Sequence, residues 1–205
     1  TPIDEVAHAG QRLELEVRTA AQINDALEFL LRGGRNGDDD LIDLVLGAQV
    51  GNIVGDTQAG YAVDDQVGPP GIVIAAPSSG SGKTLLTLGL LRHFRDTGVA
   101  AASAKVGPDY IDPAFHARAT GQACLNADSW AMRETTLMAA AVTAGQDADL
   151  VICEGVMGLF DGATASEGST ADIAQRTGWP VVLVVDSRAQ GASAAALVKG
   201  FDSFR

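Results

Sequence analysis

"GIVIAAPSSGSGKTLLTLGLL", residues 71–91, passes from an apolar run through a serine- and glycine-rich loop into leucines at helical spacing. That order reads as a buried strand, a loop and the start of a helix. The loop fits the phosphate-cradling pattern G-x-x-x-x-G-K-[ST] except at its first position, where Pro77 stands in for glycine. Glycines in such a loop let successive backbone N–H groups turn inward around phosphate oxygens. A lysine then reaches the β- and γ-phosphates, a Ser or Thr hydroxyl holds Mg2+, and a helix N-terminus lies behind. Ser79, Gly80, Ser81, Gly82, Lys83 and Thr84 supply that set. Pro77 falls where the chain turns out of the strand, a place proline also serves. The expectation is a nucleotide with Mg2+ on this loop, rather than a loop that merely caps a helix.

Downstream, apolar runs alternate with helical stretches. The runs are "GIVIAAP", "VAAASAKVG", "ADLVICEG" and "PVVLVVD". Helices are expected from about Thr84 to Thr97, around Met132 to Ala144, near Thr170 to Thr177, and from about Ala189 onward. Short continuous apolar runs suit strands buried on both faces, and strand–helix alternation implies a parallel sheet with helices on both sides. The fold class is therefore α/β, a P-loop-type, doubly wound, mostly parallel sheet. Ligands of such sheets bind at the carboxyl ends of the strands. Ser78–Thr84, Lys105–Asp112, Glu154–Asp161 and Asp186 all follow strand ends, so they are expected to converge.

Upstream the texture differs. Residues 1–33 carry Val6, Leu13, Val17, Ile23, Leu27, Leu30 and Leu31 at roughly helical spacing, and "RGGRNG" ends the pattern. "DDDLIDLVLGAQVGNIV", residues 38–54, suggests a second short helix with its aspartates at the dipole-favoured end. Residues 51–70 are rich in Gly, Asp and Gln and read as a linker. The division is an acidic, largely helical extension over 1–70 and a partial P-loop, nucleotide-binding domain over 71–205. Residues 1–70 hold 13 of the 26 acidic residues and 4 of the 14 basic ones, so the net charge of −12 belongs mainly to the extension. That balance argues against a nucleic-acid partner, which needs a basic footprint. No apolar run approaches the ~18 residues of a membrane span. The two cysteines, Cys124 and Cys153, show no metal-like spacing, and Cys153 reads as a small buried hydrophobe. A reducing cytoplasm is expected.

Two further motifs carry chemistry. "AKVGPDYIDPAFH", residues 104–116, places Lys105, Asp109, Tyr110 and Asp112 in a loop stiffened by Pro108 and Pro113. Carboxylates and a lysine beside a nucleotide suggest Mg2+ binding and substrate contact. His116 reads as an ordinary polar residue on a following short helix. "VICEGVMGLFDG", residues 151–162, puts Glu154 right after a strand, where P-loop proteins hold their metal. Asp161 is either a second acid facing the substrate or a turn-forming Asp-Gly.

Residues 71–201 resemble the ATP-dependent amidoligase domain of cobyrinic acid a,c-diamide synthases, in the dethiobiotin synthetase-like branch of P-loop proteins. The resemblance rests on "APSSGSGKT", "KVGPDYIDPAFH", "LNADSWAM", "EGVMGLFDG", "GSTADIA" and "VVLVVD" followed by "SAAALVKGF". The family's phosphate loop also tends to lack the first glycine, so Pro77 conforms to it. The resemblance implies ATP-dependent amidation of the a- and c-acetates of cobyrinic or hydrogenobyrinic acid through an acyl phosphate, in cobalamin biosynthesis. It implies Lys83 on the γ-phosphate, and Thr84, Glu154 and Asp109 on Mg2+. It also implies Asp109, Tyr110, Ile111, Glu154 and Asp161 in substrate handling or catalysis, with Lys105 on the substrate side. Lys83, Glu154 and Asp161 are the expected catalytic set.

Family members draw ammonia from glutamine through a C-terminal amidotransferase domain. The chain stops at Arg205 without such a segment, and neither cysteine stands where its nucleophile would be. The expectation is a piece carrying the ATP-site motifs without full activity, and a homodimer is left open. The rival readings are dethiobiotin synthetase, cobyric acid synthase, a degenerate pseudoenzyme and a non-catalytic nucleotide switch. Partition-type ATPases, which act as such switches, carry an extra lysine early in the loop, where this chain has Ser78.

Overall fold

A computed structural model describes residues 70–204. The helices expected over 1–33 and 38–54 lie outside the described residues. From Gly71 the elements are β1 (Gly71–Ala75), α1 (Lys83–Thr97), β2 (Ala101–Val106), α2 (Asp112–Thr120) and β3 (Cys124–Ala127). They continue with α3 (Glu134–Gly145), β4 (Leu150–Glu154), α4 (Thr170–Thr177), β5 (Val181–Leu183) and α5 (Ser193–Phe204). All pairings are parallel, in the order β3-β2-β4-β1-β5.

The sheet is covered on both faces, as the apolar strands require. Ile72, Ile74, Leu150 and Ile152 point to one face and pack with Leu86, Leu90, Leu91 and Phe94 of α1. Val73, Ala102, Ala104, Val151 and Cys153 point to the other, against Leu137 of α3 and Ile173 of α4. Glycine ends α1 at Gly98, whose φ of 79° closes the helix in the left-handed region. A reciprocal Ser169–Asp172 capping box starts α4.

Strand order creates the site. From β1 the chain crosses over β4 to reach β2, whereas from β4 it crosses over β1 to reach β5. The loops leaving β1 and β4 therefore part in opposite directions above adjacent strands, which is the switch point where such sheets bind ligands. The register then sets a polar row. Lys105 pairs with Glu154 on one side and Asn126 on the other, and Glu154 pairs with Ile74. Residues paired across neighbouring strands share a face, so Lys105 and Glu154 stand side by side under α1 and α2. Among the described residues no helix is long and apolar enough to cross a membrane.

Candidate active site

The phosphate loop has the backbone its glycines allow. Gly80 and Gly82 adopt φ of 82° and 93°, a region that costs other residues strain. A methyl at either would meet nothing within 4 Å, so the loop opens onto free space. Ser81 Oγ donates to Ser78 O at 3.0 Å and draws the loop together. Lys83 Nζ donates to Ser78 O at 3.1 Å and to Met157 O at 2.6 Å, joining the β1 and β4 loops. Met157 is the non-glycine residue with positive φ (48°) among the described residues, and that turn presents its carbonyl to Lys83.

Behind Met157, Gly158 N–H donates to Asp161 Oδ2 at 2.9 Å. A Cβ at Gly158 would lie 2.6 Å from both that oxygen and Pro77 O. The Gly158→Ala variant is expected to push the two loops apart and lower stability by about 1–3 kcal/mol, with weaker Mg-nucleotide binding. Urea unfolding and calorimetric titration check both effects, and wild-type values would contradict the close approach.

Glu154 is the hub of the site. Its side chain is fully buried, a position a carboxylate holds only when paired. Oε1 accepts from Thr84 Oγ1 at 2.5 Å and from Lys105 Nζ at 3.0 Å. Oε2 meets His116 Nε2 at 2.7 Å. Lys105 in turn donates to Gly155 O at 3.2 Å and pairs with Asp112 Oδ2 at 2.6 Å. His116 Nδ1 lies 3.4 Å from Cys124 Sγ. One network thus links the phosphate loop, β2, α2, β3 and β4.

Burial favours the neutral acid of Glu154, but hydrogen bonds from His116 and Thr84 and the Lys105 charge outweigh it and hold the carboxyl below its usual range. Burial also opposes charge on Lys105, yet Asp112 and then Glu154 raise it above the ordinary lysine value. Burial pulls His116 down, while hydrogen bonds with Cys124 and Glu154 more than compensate and raise it to about 9. Lys83 goes the other way. Burial lowers it, the Lys105 charge adds to the effect, and Glu154 and Asp161 offset only part. Cys153 is pushed up to about 12, chiefly by burial, and remains an inert core thiol.

A raised folded-state histidine stabilises the fold below its ordinary value of 6.5, and that contribution disappears as pH rises toward about 9. Melting temperature is expected to fall across this interval in the wild type and to stay flatter in the His116→Leu variant. Equal slopes in the two proteins would contradict the charged His116.

The residues suit Mg2+ with a nucleotide. Thr84 Oγ1 and Glu154 Oε1 are adjacent hard oxygens at the start of α1, and Mg2+ is held by one or two such groups together with substrate phosphates. Lys83, Thr84, Lys105 and Glu154 therefore converge, and Asp161 braces the neighbouring loop.

The other expected residues stand further out. Asp109 Oδ1 accepts from Ile111 N at 2.8 Å and Asp112 N at 3.1 Å, so its carboxylate shapes the loop before α2. Tyr110 is 88% exposed and Ile111 68%, on the loop that leads into α2. Ser79 is exposed on the phosphate loop. Asp186 pairs with Arg188 at 2.6 Å on the surface. His116 departs from its expected role as an ordinary polar residue, since it is fully buried against Glu154. The signal that finds it is register: α2 covers the face on which Lys105 and Glu154 stand.

No family model matches the chain. Among curated proteins, the hydrogenobyrinate a,c-diamide synthase of Rhizobium meliloti is 53% identical over 135 residues, 66% of this chain and 32% of that protein. The synthase of Rhodobacter capsulatus is 56% identical over 138 residues, 65% of this chain and 32% of that protein. That of Brucella anthropi is 54% identical over 136 residues, 66% and 31%. The chain spans about a third of the length of these relatives. Over the matched two thirds of its length, the chain is homologous to the a,c-diamide synthases, the family its motifs resemble.

Proposed function

We propose that the domain starting at Gly71 binds Mg-ATP and passes its γ-phosphoryl group to acetate carboxylates of a corrinoid. The reaction is the amidation of the a and c side chains of hydrogenobyrinic or cobyrinic acid in cobalamin biosynthesis. Ammonia comes from glutamine through an amidotransferase domain. The observation that carries this reading is the contact of Thr84 with Glu154, in a chain whose relatives bear the a,c-diamide synthase name.

A carboxylate is a poor electrophile, and phosphorylation turns one of its oxygens into a leaving group. The carboxylate oxygen bonds to the γ-phosphorus as the bond to the bridging oxygen breaks, giving ADP and an acyl phosphate. Ammonia then adds to the carbonyl carbon, phosphate departs with the oxygen, and a proton is lost. Two anions must meet in the first step, so positioning and charge neutralisation dominate. Thr84 and Glu154 would hold Mg2+, whose charge would offset that of the phosphates. Lys83 stands at the loop mouth, a cation already stripped of most of its water. Lys105 balances Glu154 from beneath. Asp109 shapes the loop that carries Tyr110 and Ile111, whose exposed side chains offer apolar surface to a corrin ring.

ADP formation by the chain, supplied with ATP, Mg2+, ammonium and hydrogenobyrinic acid, tests the proposal. It is expected to require the corrinoid. ADP formation at the same rate without the corrinoid would overturn the reading in favour of a nucleotide switch.

A further inference from the structure

The geometry points to His116 as a positioning residue, which holds Glu154 Oε2 so that Oε1 faces the Thr84 hydroxyl at the phosphate loop. The inference rests on the Mg-nucleotide reading of that loop and adds a residue to it. The two oxygens of Glu154 are divided between partners. Oε1 takes Thr84 and Lys105, and Oε2 takes His116. Without His116, Oε2 has no partner in a fully buried position, and the carboxylate can rotate about its last bond. His116 is itself fully buried and is the buried residue of α2. An apolar side chain would suit a helix face turned to a sheet, so an imidazole there needs its polar partners.

The ring is fixed from its far side, where Nδ1 lies 3.4 Å from Cys124 Sγ on β3. It is also fixed through its helix. Asp112 and His116 stand four residues apart, on one face of α2. Asp112 grips Lys105 at 2.6 Å while His116 grips Glu154 at 2.7 Å. The short helix thus braces both members of the buried Lys105–Glu154 pair at once. A group that orients a metal-binding side chain through its second oxygen acts on metal affinity without touching the metal.

Titration calorimetry of ADP into the chain, with and without Mg2+, tests this. His116→Leu is expected to leave metal-free ADP affinity within about threefold and to weaken Mg2+ binding in the ADP complex by about 10- to 100-fold. His116→Gln can place its amide nitrogen where Nε2 sits, and is expected to restore Mg2+ affinity to within about threefold of wild type. His116→Asn is polar but reaches only as far as Nδ1, and is expected to resemble His116→Leu. Should the leucine variant fail to fold, the glutamine–asparagine contrast decides. Wild-type Mg2+ affinity in the leucine variant, equal Mg2+ affinity in the asparagine and glutamine variants, or a parallel loss of ADP affinity with and without metal would overturn the positioning role. A wild-type chain that binds no ADP under either condition would instead overturn the nucleotide reading, and this inference with it.

Discussion

Glu154→Ala is expected to destabilise the domain by about 3–5 kcal/mol, the effect of removing one partner from a buried ion pair. At this size of domain the melting temperature should drop by roughly 10 °C or more. The reason lies in what remains. Lys105 is 3% exposed and would keep Asp112 and one carbonyl, but not the acceptor beside it in the sheet register. His116 would be left buried with no acceptor at Nε2. Thr84 would lose its oxygen as well. Glu154→Gln should fall between wild type and alanine, since an amide keeps the shape and part of the hydrogen bonding. The control is Asp96→Ala. Arg92 and Asp96 pair on the outer face of α1 with side chains 65% and 55% exposed, where ion pairs add little. Its melting temperature should match wild type. Differential scanning calorimetry separates the cases, and a Glu154→Ala melt within a degree or two of the Asp96→Ala melt would remove Glu154 from the centre of the account.

Lys83→Met should have the opposite profile. Phosphoryl transfer is expected to fall by at least about 100- to 1,000-fold, the range for losing one charge-stabilising donor, while stability changes little or rises. Lys83 is 8% exposed and its charge is disfavoured by burial and by Lys105. Its hydrogen bonds run to two loop carbonyls, Ser78 O and Met157 O. Methionine keeps the hydrocarbon stem against the loop and relieves the desolvated charge. A cation held at a cost to the fold is what an active-site role for Lys83 would require. Parallel melts and ADP-release assays check the pair of outcomes. A variant that loses stability in proportion to its activity would show Lys83 to be structural.

The contrast between these two residues explains what could be read from the sequence. The phosphate loop was legible because its chemistry is local: two glycines, a lysine and a threonine must follow one another between a strand and a helix. The buried strands are legible because each is a continuous apolar run, and the helix expected near Thr170 to Thr177 coincides with α4. β3 lies outside the apolar runs that mark the other strands. It has four residues, all partly exposed, and lies at the sheet edge, so it lacks an apolar run. The order of strands was equally hidden, since composition does not say that β4 slips between β1 and β2. That order is what brings Glu154 to Thr84, 70 residues earlier in the chain. His116 escaped for the same reason. Its partner is 38 residues away and its helix too short for a clear periodicity. In the sequence Asp112 is one acid in a loop, whereas its role as the partner of Lys105 follows from the helix that starts there.

The central claim is that the γ-phosphoryl group passes to a substrate carboxylate, and the fate of that carboxylate's oxygen tests it most directly. Hydrogenobyrinic acid labelled with oxygen-18 in its acetate carboxylates is incubated with the chain, ATP, Mg2+ and ammonium, and the released phosphate is analysed by mass spectrometry. Phosphate that carries one labelled oxygen for each amide formed is expected. Unlabelled phosphate, or release no greater than that of the Lys83→Met variant, would contradict it.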